Sequence, residues 1–217
     1  IHGVQEVWEL DSGLAGAERD ANVDWHTVRH IPYEEITDIY SRMAIVVPAM
    51  SERLKVLDGV LSGIPHDCLI ILVSNSPREP IDRYRMETET IERFARLVRR
   101  GAVMIHQRDP GLAEALSEAG YPHVLDDQGV VANGKGEGML IGLALAAAAG
   151  RDYVGFIDAD NYVPGAVHEY VNAYAAGFHM SGSPYSMVRI SWKSKPKIQD
   201  GRLFFNELKT GRVRIID

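Results

Sequence analysis

The sequence holds one cysteine, Cys68, in 217 residues. A disulfide framework is therefore excluded, and a reducing compartment fits. Cys68 opens the apolar run Leu69-Ile70-Ile71-Leu72-Val73, where a small thiol reads as a core residue rather than a nucleophile. Basic charge is also scarce: 23 Lys and Arg stand against 30 Asp and Glu, giving a net charge of −7. That balance excludes the strongly basic face that a nucleic-acid partner requires. Long apolar runs are missing too. The most apolar long stretch, Met139 to Gly150, is alanine-rich and falls short of the roughly 20 residues that cross a bilayer. No signal peptide is visible at the N-terminus, so the expectation is a cytoplasmic protein with no membrane partner. The chain opens with Ile1 rather than Met, which suggests trimming at the front.

What is present is an ordinary globular composition, 46% hydrophobic and 24% charged. The first 40 residues are mixed and polar, with a short strand expected near Val4 to Leu10. From Met43 the pattern becomes regular. Met43-Ala44-Ile45-Val46-Val47 reads as a strand buried on both faces and ended by Pro48. A helix with Leu54, Leu57, Val60 and Leu61 on one face follows, with Ser51 as its expected cap. Leu69 to Val73 is a second buried strand, Met86 to Arg99 a helix and Ala102 to Ile105 a third strand. A helix starts at Asp109-Pro110 and runs to Gly120. Gly136 to Ala149 is an apolar helix, Tyr153 to Ile157 a fourth strand and Pro164 to Gly177 another helix. Ser186 to Trp192 and Arg202 to Phe205 read as further strands. Strands alternating with helices predict an α/β fold with a mostly parallel sheet and helices on both faces.

In such sheets ligands sit beyond the carboxyl ends of the strands. Four polar segments fall there: Pro48 to Glu52, Ser74 to Ser76, His106 to Arg108 and Asp158 to Asn161. Their convergence on one crevice is the main argument for a nucleotide-type site. The sharpest feature is Asp158-Ala159-Asp160. On a regular strand both carboxylates would share one face, and hard oxygen ligands of this kind suit Mg²⁺ or Mn²⁺ held with a diphosphate. The bland alternative is a loop of helix-capping acids before Pro164. Gly134-Lys135-Gly136-Glu137-Gly138 lets backbone approach a ligand closely, with Lys135 as a point charge for phosphate and a helix N-terminus beside it. It lacks the spacing of a P-loop. In Pro48-Ala49-Met50-Ser51-Glu52, Glu52 can accept hydrogen bonds from a ribose or base; equally, Ser51 and Glu52 can simply cap and charge a helix start.

Taken together, Val46-Val47-Pro48-Ala49-Met50-Ser51-Glu52-Arg53, Leu61 to His66, Gly134 to Met139, Tyr153 to Asn161, Tyr174 to Phe178 and Met187 to Ile190 resemble the mannosyl-3-phosphoglycerate synthase family. The resemblance runs over nearly the whole chain. It implies a GT-A glycosyltransferase fold and transfer of mannose from GDP-mannose to 3-phosphoglycerate with retention, in mannosylglycerate biosynthesis. It further implies that Pro48, Ala49, Met50 and Glu52 contact the nucleoside with help from Ser74. Gln107 and Lys135 would lie near the base or diphosphate. Asp158, Ala159 and Asp160 would lie at the donor, with the two aspartates as metal ligands and catalytic carboxylates. Arg189 would hold an acceptor carboxylate or phosphate through its planar fork. On this reading residues 1–40 form an extension packed on the core and 41–217 the nucleotide-sugar-binding domain. Family chains continue further and bring a histidine metal ligand, so a part that completes the acceptor and metal sites would be lacking here. A dedicated carboxylate nucleophile is not apparent, which suggests a front-face mechanism assisted by the departing diphosphate. A glucosyl-3-phosphoglycerate synthase and a binding module without turnover are the alternatives; a homodimer is open.

Overall fold

The computed structural model describes residues 4–6, 28–181, 184–190 and 194–207. Its centre is a parallel sheet. Strand β3 (Met43–Ala49) lies between β4 (Leu69–Ser74) and β6 (Tyr153–Phe156), and β5 (Ala102–His106) pairs with the far side of β4. The spatial order is β5-β4-β3-β6, all parallel. Away from it, β1 (Val4–Glu6) pairs antiparallel with β2 (Val28–His30), and β7 (Ser194–Gln199) with β8 (Arg202–Glu207).

The two-residue period of the strands sorts the core into two layers. Met43, Ile45 and Val47 join α1 (Tyr33–Ser41), α2 (Leu54–Gly63) and α6 (Pro164–Met180) on one face. Ala44 and Val46 join α4 (Pro110–Glu118) and α5 (Lys135–Ala148) on the other. Helix α3 (Arg83–Val98) adds Ile91 to the first layer. It begins earlier than its apolar pattern suggests because Asp82 accepts a hydrogen bond from the Arg85 N–H. Asp109 caps α4 in the same way, accepting from Gly111 and Leu112. Within residues 31–41, Ile36, Ile39 and Tyr40 are buried in this core, and the Tyr40 hydroxyl donates to Asn172 on α6. No helix among the described residues is long and apolar enough to cross a membrane.

Three local expectations need correction. Strand β3 does not stop before Pro48; it carries on to Ala49. The Val46 carbonyl accepts from Ile157 on the β6 side, so Pro48, two residues on, turns its missing N–H to that same side, past the last β3–β6 pair, where no ladder bond is lost. Ser51 is not the cap of α2. The cap position is Arg53, and Ser51 instead takes a left-handed φ of 61°. Residues 186–190 form no strand; they run irregularly along α6, with Val188 against Gly177. Residues 191 and 192 of that expected strand, and 7–10 of the first one, lie outside the described residues.

The sheet order contains a reversal. The chain moves outward from β3 to β4 to β5, then returns to the opposite side of β3 as β6. The crevice opens at such a reversal, because the loops leaving the two adjacent strands diverge. Here those loops are 50–53 and 157–163. Helix α2, which follows the first, is pressed against the second. A methyl group on Gly59 would meet the Tyr162 carbonyl oxygen at 2.3 Å, and one on Gly63 the Pro164 oxygen at 2.5 Å. The obstacle is backbone in both cases and has little freedom to give way. Gly59→Ala is expected to destabilise the fold by about 1–3 kcal/mol, as overpacking does, despite the gain in helix propensity; urea unfolding of the two proteins measures this.

Candidate functional site

At the carboxyl ends of β3 and β6 lies a cavity of about 320 Å³, within the range of small-ligand pockets. Its wall on the β3 side is Pro48, Ala49, Met50 and Glu52. Val73, Asn75 and Gln107 come from the ends of β4 and β5, and Asn133, Gly134, Lys135 and Gly138 from the start of α5. Asp158, Ala159 and Asp160 complete it. Of the residues singled out from the sequence, Ser74 and Arg189 are not among these. Ser74 is fully buried and its hydroxyl donates to Glu87 at 2.6 Å, so its polar group is committed inside the protein. Arg189 is exposed on the irregular segment beside α6.

The aspartates reach the cavity by a different route from a continued strand. Strand β6 ends at Phe156, and residues 158–161 form a turn closed by Asn161, whose backbone and side-chain nitrogens reach the Asp158 carbonyl at 3.0 and 3.2 Å. Ala159 is buried in the core beneath the turn, while Asp158 and Asp160 on either side are exposed. Behind them the Tyr174 hydroxyl donates to the Phe156 carbonyl at 2.9 Å. Burial, followed by the negative charge of Asp158, pushes that phenol up to about 12.

Across the opening, Lys135 Nζ meets Asp158 Oδ1 at 2.5 Å, with both side chains about half exposed. Lys135 is the first residue of α5, and Gly134 before it is extended, so the helix N-terminus opens on the cavity. Gln107 fixes this approach. Its amide donates to the Ala132 carbonyl at 2.7 Å and the Gly134 carbonyl at 2.8 Å, which leaves Oε1 as the free face of the carboxamide beside Gly138. Gly138 has no room for more: a methyl group there would stand 3.0 Å from Gln107 Oε1. The preceding loop is pinned by Arg108, which pairs with Asp126 at 2.8 Å and donates to Gln128. Partial burial works against the Asp126 charge, yet the Gln128 N–H and the Arg108 guanidinium outweigh it and hold the carboxyl below its ordinary value.

Sequence reading singled out none of Asn75, Asn133 and Glu87, although Asn75 lies inside the segment Ser74 to Ser76 that it placed at the crevice. Asn75 and Asn133 face each other across the cavity, joined by a hydrogen bond between their carboxamides. Both lie in polar stretches with no spacing that singles them out. Glu87, on the buried side of α3, has only one weak signal, its spacing to Thr90 and Ile91, which are buried with it.

The charges decide what can enter. Glu52, Asp158 and Asp160 against Lys135 leave the lining with an excess of two negative charges. The sequence matches the mannosyl-3-phosphoglycerate synthase family over residues 1–216. The chain belongs to this family. It is 50% identical over 213 residues to the mannosyl-3-phosphoglycerate synthase of Pyrococcus furiosus, covering 98% of this chain and 54% of that protein. It is 41% identical over 216 residues to that of Aeropyrum pernix, covering 100% of this chain and 55% of the relative. The chain thus spans about half the length of the curated relatives it matches. The parallel sheet with helices on both faces is consistent with the GT-A fold expected of this family.

The Lys135–Asp158 contact is a surface pair, and such pairs contribute little to folding. Without ligand, Lys135→Ala should change the unfolding free energy by no more than about 1 kcal/mol, read from urea denaturation. A larger loss would make the pair a structural brace.

Proposed function

We propose that the cavity binds a nucleoside diphosphate sugar together with a divalent cation, and that the protein transfers mannose from GDP-mannose to 3-phosphoglycerate. The observation that carries this reading is the pairing of two exposed carboxylates with one lysine and a helix N-terminus around a single opening. The donor set suits Mg²⁺ or Mn²⁺: both are hard cations that prefer carboxylate oxygen and keep positions for phosphate and water. Among the described residues no third His, Cys, Asp or Glu joins the two aspartates as a ligand group. That leaves room for diphosphate oxygens, and for the further ligand implied by the family resemblance. When bound, the cation would offset the charge that develops on the departing nucleoside diphosphate.

The protein's own groups divide the remaining work. Asp158 and Asp160 would hold the cation. Lys135, at the positive end of α5, would meet the diphosphate. The apolar surface of Pro48, Ala49, Met50 and Val73 takes the nucleoside, and Glu52 and the Gln107 carboxamide oxygen accept hydrogen bonds from it. Arg189 serves the acceptor anion, from a segment outside the cavity itself. Among the described residues the carboxylates of the lining are Glu52, Asp158 and Asp160, and the transfer proposed for them is a front-face one with retention.

A panel of GDP- and UDP-sugars with 3-phosphoglycerate and Mg²⁺ tests the reaction in the full-length protein. Turnover is expected with GDP-mannose; turnover confined to glucose donors would make the protein a glucosyl-3-phosphoglycerate synthase. Binding of GDP-mannose with no product would reduce this chain to a binding module. Asp160→Ala is expected to abolish Mg²⁺-dependent GDP-mannose binding in calorimetry while circular dichroism stays unchanged. Lys135→Ala should weaken the same binding by about 1–3 kcal/mol, as the loss of a charged hydrogen bond does. An unaltered affinity in either variant would count against the assignment.

A further inference from the structure

Glu87 is a charged residue with 1% of its surface exposed, and it is absent from the cavity lining. Among the described residues no cation forms an ion pair with it. Instead, Oε1 accepts from the Ser76 hydroxyl and Oε2 from the Ser74 hydroxyl, each at 2.6 Å. Each serine oxygen also accepts a backbone N–H. Ser76 Oγ takes that of Ser51 at 2.7 Å, and Ser74 Oγ takes that of Ser76 at 3.1 Å. With its oxygen occupied by an amide, each hydroxyl must direct its single proton elsewhere, and Glu87 receives both. The chain of donors therefore runs one way, from loop backbone through serine to carboxylate.

The far end of this chain is the strained point of the cavity wall. Ser51 has the left-handed φ of 61°, a region that residues with a Cβ seldom occupy. It stands between Met50 and Glu52, which both line the cavity. A change in its conformation would re-aim both side chains. The same carboxylate holds the segment bearing Asn75, whose N–H donates to the Ala49 carbonyl at 2.9 Å. His106 completes the clamp: one ring nitrogen lies 3.0 Å from the Ser76 carbonyl, and the other accepts from the Arg108 N–H at 3.1 Å.

Burying a polar carboxyl group is costly unless its hydrogen bonds are supplied, and an apolar side chain would fill the same place at lower cost. We propose that Glu87 is a positioning residue of the donor site, holding the Met50–Glu52 wall and Asn75 in their binding geometry through Ser76 and Ser74. This rests on the nucleotide reading of the cavity and adds to it the residue that pre-forms its nucleoside end.

The test uses Glu87→Gln, which keeps the shape of the side chain but offers only one acceptor oxygen, and Ser76→Ala, which removes the link to Ser51. In the full-length protein, each is expected to raise the Kd for GDP with Mg²⁺, and the KM for the sugar nucleotide, by about tenfold, the scale of a lost hydrogen bond to a charged group. The kcat and the KM for 3-phosphoglycerate should stay within about twofold, because only uniform donor binding is lost. The double variant should be no weaker than the worse single one, since both break one chain. If Glu87→Gln fails to fold, Ser76→Ala alone decides. A lowered melting temperature with an unchanged Kd for GDP would make Glu87 a core brace and overturn the proposal. Wild-type protein that binds no GDP would instead overturn the nucleotide reading, and this inference with it.

Discussion

Val46, Val47, Ile71 and Leu72 have no exposed surface, with packed layers on both sides of the sheet. A parallel strand enclosed in this way can carry no polar side chain along its length except where a partner is built for it. The chemistry is therefore displaced to the strand ends, and the common direction of the four strands delivers all of it to one edge. The cavity and the charges that line it follow from that enclosure. The exceptions confirm the cost: Ser74, at the last position of β4, is polar and buried, and Glu87 is present to receive its proton.

Much of this was legible in the sequence for the same reason. Continuous apolar runs such as Met43 to Val47 and Leu69 to Val73 mark enclosed strands, and the polar residues after them mark the ligand edge. Asp158, Asp160, Lys135 and Glu52 could be found because charge directly after an enclosed strand, or directly before a helix, is a local pattern. What stayed hidden depends on contacts between distant segments. The left-handed Ser51 is held by Ser76, 25 residues away, so its local sequence reads as a helix cap. Asn133 acquires its place from Asn75 across the cavity. Residues 186–190 have a strand-like composition but pair with no strand among the described residues, and Val188 packs on α6 instead.

The family assignment and the geometry bear on different parts of the conclusion. Membership rests on similarity over essentially the whole chain, and it names the reaction of relatives about twice as long. The geometry shows a cavity with an apolar wall on the β3 side, two exposed aspartates beside one lysine, and the N-terminus of α5 opening on it. The acceptor end has one described residue from the expected set, Arg189, on an exposed segment.

The bare faces of Gly59 and Gly63 have a mechanical meaning. Helix α2 leaves directly from one wall of the crevice and rests on the backbone just beyond the other. It behaves as a spacer whose thickness is that of a helix stripped of side chains on one side. The gap between the opposing walls is thus gauged by atoms that are missing, and a single added methyl group would act on it like a shim under a jaw.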